Sequence, residues 1–145
     1  MPTPTAPPTA RRLTHGEIAN AISDVLAVDA KRDLHNLSPD LLGQFSNDAS
    51  TLTVSLEQAQ GLKTFASGVA NAANLAAYFT CTNFGELCEA GFLSKLGQRL
   101  FRRPLNDSQL QNYRKLFAVA QTNGDTFVVG AKLALQVMLQ SPWFL

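Results

Sequence analysis

Arg99, Arg102 and Arg103 make the sharpest polar cluster in the chain, in the stretch 97–110, GQRLFRRPLNDSQL. Guanidinium forks crowded together can hold phosphate or carboxylate groups by paired hydrogen bonds. A structural role competes with that reading and is favoured over it. These arginines fall in the last turn of a helix, where cations offset the C-terminal dipole, and they can pair with Asp24, Asp29 or Asp107. Pro104 then denies its N–H to the helix and pushes Arg103 out of the α region. Asn106, with Gln109 three residues on, has the spacing of a capping box that starts the next helix. Arg11 and Arg12 read the same way as the corner arginines, as structural anchors of the N-terminal segment.

Other chemistry is sparsely provided for. A zinc or iron site draws three or four His, Cys or carboxylate ligands together, whereas His15 and His35 lie on different segments. Cys81 and Cys88 stand too far apart for the Cys-x-x-Cys-His haem attachment, and no histidine follows. They are either a local disulfide, for which Gly85 lets the intervening loop bend, or two separate thiols. Glu17 and Asp24 share a helical face seven residues apart, a pattern read first as solvated surface charge. Neither a phosphate-binding loop nor a dinucleotide glycine pattern occurs.

Composition narrows the classes. With 145 residues the chain can bury a core without metal support. A net charge of +1 opposes a surface built to coat nucleic acid. No apolar run reaches the ~20 residues of a membrane-spanning helix. Residues 1–10, MPTPTAPPTA, have neither the basic start nor the apolar stretch of a signal peptide and read as a Pro/Thr linker.

The elements that must position these residues are helices. Thr14 and Glu17 form a capping box, followed by the stripe Ile18, Ile22, Val25 and Leu26, ending near Val28. Residues 29–53 read as an ordered loop, with a short helix starting at Ser38-Pro39. A second capping box at Ser55 and Gln58 opens an alanine-rich helix running to about Phe79, whose small residues permit close packing. A third helix spans 86–102, with Leu87, Phe92, Leu93, Leu96, Leu100 and Phe101 inward. A fourth carries Leu110, Tyr113, Leu116, Phe117 and Ala120 and is stopped by Asn123-Gly124. Asp125 caps a fifth, 126–140, apolar almost all round and so expected to be buried. No segment alternates with period two, so the fold class is all-α, with about five main helices and an ordered loop after the first. The organisation expected is a linker at 1–10, a helical subdomain at 11–80 and a second at 81–145. The ending Trp143-Phe144-Leu145 either folds back into the core or runs on into further chain, and continuation is the favoured expectation.

Several stretches together resemble a known set. RRLTHGEIANAISDVLAVD (11–29), LSPDLLGQFSNDASTLTVS (37–55), CEAGFLSKLGQRLFRRPL (88–105) and ALQVMLQSPWFL (134–145) are similar to planctomycete-type, cytochrome-associated proteins. These are the domain-of-unknown-function families 1587, 1595 and the start of 1592. The chain departs from their pattern at Ile18, where an aromatic is usual, and in a loosened loop at 44–47. The resemblance implies an exported, periplasmic or extracellular multidomain protein, with c-type haem in a neighbouring module and none in this chain. It also implies that Cys81 and Cys88 are a disulfide. Its partners would be the remainder of a longer chain or a cytochrome module, with no nucleic acid and no transmembrane segment.

Two functions follow as expectations. The first is a non-catalytic helical scaffold or interaction module, whose candidate motif comprises Arg99, Arg102, Arg103, Pro104, Asn47 and Asp48. The alternative is part of a redox or hydrolytic site completed by a C-terminal domain, with Arg102, Arg103 and the Asn47-Asp48 loop as exposed contributors.

Overall fold

Capping and apolar periodicity place the first helix where the sequence puts it. In the computed structural model, which describes residues 13–37 and 56–144, α1 runs His15–Leu26. The Thr14 hydroxyl accepts from the Glu17 N–H at 3.3 Å, and the Glu17 carboxylate accepts from the Thr14 N–H at 2.8 Å. The helix stops two residues before Val28 because Ala27 adopts the left-handed conformation, with φ 53°. The segment expected as loop then holds a 3-10 helix, Ala30–Asn36, whose cap is the Asp29 carboxylate accepting from the Lys31 N–H at 3.1 Å. The helix expected at Ser38-Pro39 and the cap at Ser55 lie outside the described residues.

Helix α2, Leu56–Ala72, is the element of close approaches. A Cβ on Gly61 would collide with the Asn36 carbonyl, so only glycine lets α2 settle onto the 3-10 helix. The helix ends seven residues short of the expected Phe79. Asn74 draws the Ala76 N–H onto its own side chain at 3.1 Å, a local bond that competes with helix continuation. A 3-10 turn, Ala76–Tyr78, follows.

Helix α3, Glu86–Phe101, gives way to the Pro104 corner, and α4, Asp107–Thr122, starts on the expected Asn106–Gln109 capping box. The turn from the α region occurs one residue earlier than Pro104 alone would impose, at Arg102, with φ 56°. A Cβ on Gly97 would sit 2.7 Å from Leu105 Cγ, so the corner folds back tightly on its own helix. Leu87 is not inward but 83% exposed. With the core stripe at Cys88, Phe92, Leu96 and Leu100, the helical period carries Leu87 to the outer face with Ser94 and Lys95. Helix α5, Phe127–Leu139, is capped by Thr126 rather than Asp125, whose N–H instead closes the α4 turn onto the Ala120 carbonyl. Val128, Val129 and Val137 leave one stripe of α5 facing outward, so it is not buried all round.

The architecture is all-α, and no strand occurs among the described residues. Helix α5 packs on both α2 and α4, and α3 bridges α1, α4 and α5. One buried cluster joins Ile18 and Ile22 of α1, Phe65 and Val69 of α2, Phe92 and Leu96 of α3, Phe117 of α4 and Leu135 and Met138 of α5. At its end near the α3 N-terminus, Phe117 and Phe127 lie 4.8 Å apart, and Phe92 meets Phe79 at 5.4 Å and Phe117 at 6.0 Å. Phe144 folds back and is buried. No helix is long and apolar enough to cross a membrane among the described residues.

Cys81 and Cys88 are bonded, with Cα atoms 5.2 Å apart. The link ties the segment after Tyr78 to the first turn of α3 and holds Phe79 and Phe84 over Phe127. A loop this short loses modest chain entropy when closed, so reduction is expected to lower the unfolding free energy by about 2–3 kcal/mol. Thermal melts with and without dithiothreitol measure this. A Cys81→Ala/Cys88→Ala chain should melt where the reduced protein does and ignore the reductant.

Candidate functional site

The corner arginines separate in space and do three different things. Arg99, on α3, reaches across to the end of α1. Its Nη2 donates to the Asp24 backbone carbonyl at 3.2 Å and its Nη1 to the Tyr78 hydroxyl at 3.0 Å. Tyr78 in turn donates to the Val25 carbonyl. These carbonyls belong to the last turn of α1, which carries no basic residue of its own. Arg99 therefore caps a neighbouring helix rather than its own, and it meets the main chain of Asp24, not the carboxylate expected as its partner.

Arg103 stacks on Trp143, its guanidinium carbon 4.1 Å from the ring centroid. The same charge lies near Tyr113, a buried phenol whose pKa is raised above its ordinary 10.0 by burial, against smaller downward pulls from the Ser141 hydrogen bond and from Arg103. Below pH 10 this phenol is protonated in both folded and unfolded chains. Above it the unfolded phenol ionises first, so stability falls as pH rises through the folded-state pKa. Melts between pH 8 and 11, values bracketing the ordinary tyrosine pKa of about 10, should fall more steeply for the wild-type chain than for Tyr113→Phe.

Arg102 is left exposed at a groove between α1 and the corner. Glu17, Asn20 and Asp24 share one face of α1 along it, Leu13, Ala21, Leu100, Phe101 and Phe144 supply apolar lining, and Arg102 and Trp143 complete the wall. Its volume is about 480 Å³. Pro104 shapes the corner behind it, whereas Asn47 and Asp48 lie outside the described residues. None of the three arginines forms an ion pair with Asp24, Asp29 or Asp107 among the described residues.

A second polar feature was not legible in the sequence. Glu89 is only 7% exposed, yet it is charged. Arg114 Nε donates to it at 2.9 Å and the Gly85 N–H at 3.1 Å, so α3 and α4 are joined by a part-buried ion pair at the α3 N-terminus. Twenty-five residues separate the partners, and no local spacing announces the pair. Tyr78 was missed for the same reason, since its partners lie 53 and 21 residues away. His15 and His35 remain on separate elements, and among the described residues no three His, Cys, Asp or Glu side chains gather as metal ligands would.

The fold and the groove define an all-α helical module in which α3 is pinned to the end of α1 by Arg99 and Tyr78. Residues 88–145 match the family described as protein of unknown function DUF1595, and residues 11–74 match that described as protein of unknown function DUF1587. The two matches follow one another along the chain. Residues 134–145, whose motif resembles the opening of family 1592, lie inside the DUF1595 match. No curated protein and no solved structure matches the chain. Tyr78 and Cys81 fall in the interval between the two matches, and the groove takes one wall from each.

Proposed function

We infer that the chain is a non-catalytic helical scaffold or interaction module of an exported, cytochrome-linked multidomain protein. The observation that supports this reading is the use to which its most specific motif is put. Arg99 fastens the C-terminal family to α1, Gly97 lets Leu105 close the corner, and Arg103 holds the Trp143 ring. Each role is mechanical. The disulfide fits an oxidising compartment outside the cytosol. The cytochrome link rests on the sequence resemblance, which makes a haem-bearing module or the remainder of a longer chain the expected partner.

Arg102 favours a second reading. It holds a left-handed conformation uncommon for a side chain other than glycine, and it faces the groove that Glu17 and Asp24 also line. In that reading the chain contributes one wall of a redox or hydrolytic site completed by a C-terminal domain.

Two substitutions in the full-length protein separate the readings. Arg99→Met should lower stability by about 1 kcal/mol, because the Asp24 carbonyl at the end of α1 loses its cationic donor and the Tyr78 hydroxyl loses the guanidinium bonded to it. Arg102→Met should leave both the melt and any activity of the full-length protein unchanged if the chain is a scaffold. Loss of activity at an unchanged melt would establish the second reading instead.

A further inference from the structure

Asn123 and Gly124 close helix α4 at the surface, and we propose that Asn123 is a latent self-modification site. It is inert in the folded turn and converts to aspartate or isoaspartate when the turn opens. The proposal goes beyond the scaffold reading and does not depend on it. Of the asparagines in the chain only Asn123 precedes a glycine, the residue with no side chain to hinder attack by its own main-chain nitrogen. In the reaction the Gly124 nitrogen bonds to Asn123 Cγ and gives up its proton through solvent to the leaving Nδ2. The Cγ–Nδ2 bond breaks and ammonia departs. Water then opens the five-membered imide at either carbonyl, giving aspartate or an isoaspartate whose main chain is one carbon longer. Nothing is oxidised or reduced, and water is the only co-reactant.

The folded turn withholds the geometry this needs. The imide ring contains the Asn123 Cα–C bond, so Cβ and the Gly124 nitrogen must lie nearly eclipsed about it. At the observed ψ of −6° that nitrogen is turned away from Cβ. Rotating the bond is resisted by two hydrogen bonds that follow it. The Gly124 N–H donates to the Gln121 carbonyl at 3.1 Å, and the Asp125 N–H to the Ala120 carbonyl at 2.9 Å. Together they form the paired closure that ends a helix on a left-handed glycine, here Gly124 with φ 79°. The first of them engages the very atom that must attack. Beyond the turn, Phe127 is buried 4.8 Å from Phe117, which fastens the start of α5 to α4. Asn123 itself is exposed, so water reaches it and the conformation alone keeps it unreactive. An isoaspartate, with its longer main chain, cannot restore both bonds, so an opening long enough to react leaves a permanent mark.

The intact, disulfide-bonded chain is held in mildly alkaline buffer made with heavy-oxygen water, with and without guanidinium chloride, and then digested. Peptide mass spectrometry reads the label gained at Asn123. A peptide of residues 119–127 in the same two buffers corrects for any direct effect of the denaturant. The expected result is conversion about tenfold or more slower in native buffer, the separation that two main-chain hydrogen bonds broken together impose. A native rate short of that separation would show that the turn gives no protection and overturn the proposal. Gly124→Ala is compared in denaturant alone, where its effect on folding plays no part, and should slow conversion severalfold. An unchanged rate in that variant would mean that the Gly124 nitrogen is not the attacking atom, and would overturn the assignment as well.

Discussion

Phe92→Ala is expected to lower the unfolding free energy by about 3–5 kcal/mol, the largest effect of any single substitution considered for this chain. Phe92 is fully buried at the meeting point of three ring systems, touching Phe79 at 5.4 Å, Phe117 at 6.0 Å and Phe127 at 6.5 Å. Truncation removes the apolar area and leaves a void that its neighbours can only partly close. Phe117 is already pressed against Gly130, where a Cβ would sit 2.8 Å from its ring, and the disulfide restrains the segment bearing Phe79. Neither wall can move far. Domains of this size are commonly stable by about 5–15 kcal/mol, so the variant should be close to unfolding at ordinary temperature. Urea denaturation followed by far-ultraviolet circular dichroism measures the loss. Phe92→Leu, which retains most of the volume, should retain most of the stability; equal losses in the two variants would show that the cavity is not the cause.

Arg114→Met should cost about 2–3 kcal/mol, less than for a fully buried pair because the arginine keeps 23% of its side chain in solvent. The loss arises from what remains. Glu89, 7% exposed, would retain one hydrogen bond from the Gly85 N–H and no counter-charge beside it. Glu86 also approaches Arg114, at 4.0 Å, but its side chain is 79% exposed and contributes little. The decisive comparison is Glu89→Gln combined with Arg114→Met. A neutral amide oxygen can still accept from Gly85 without being a stranded charge, so the double variant should be more stable than Arg114→Met alone. Chemical denaturation of the four chains closes the cycle. A double variant no better than the single one would mean that Arg114 acts through the packing of its stem rather than its charge.

The contrast between these two sites reflects how each was written into the chain. Phe92 was placed in the core from its period with Leu96 and Leu100, because a helix buries a repeating face and the repeat can be read without knowing what covers it. The capping boxes at Thr14 and Asn106 were legible for a similar reason, since donor and acceptor lie three residues apart and the local backbone brings them together. Leu87 shows the limit of composition: it is apolar, but its position on the helical wheel sends it to solvent, and periodicity outranks residue type. The end of α2 shows another. Alanine propensity favoured continuing the helix to Phe79, whereas Asn74 ended it and the chain turned so that Tyr78 could reach α1.

The amino-acid sequence by itself determined an all-α chain, the five main helices among the described residues, the corner at Pro104 and the resemblance to the two matched families, because each rests on contacts within a few residues or on motifs in order along the chain. Only the tertiary structure decided what the arginines do. Three neighbours in sequence leave the end of one helix in different directions, so Arg99 caps α1, Arg103 stacks on Trp143 and Arg102 faces the groove. The Glu89–Arg114 pair and the groove were decided in the same way, by helices from distant parts of the chain packing side by side. The energy of such contacts depends on separations in space that no spacing along the chain encodes.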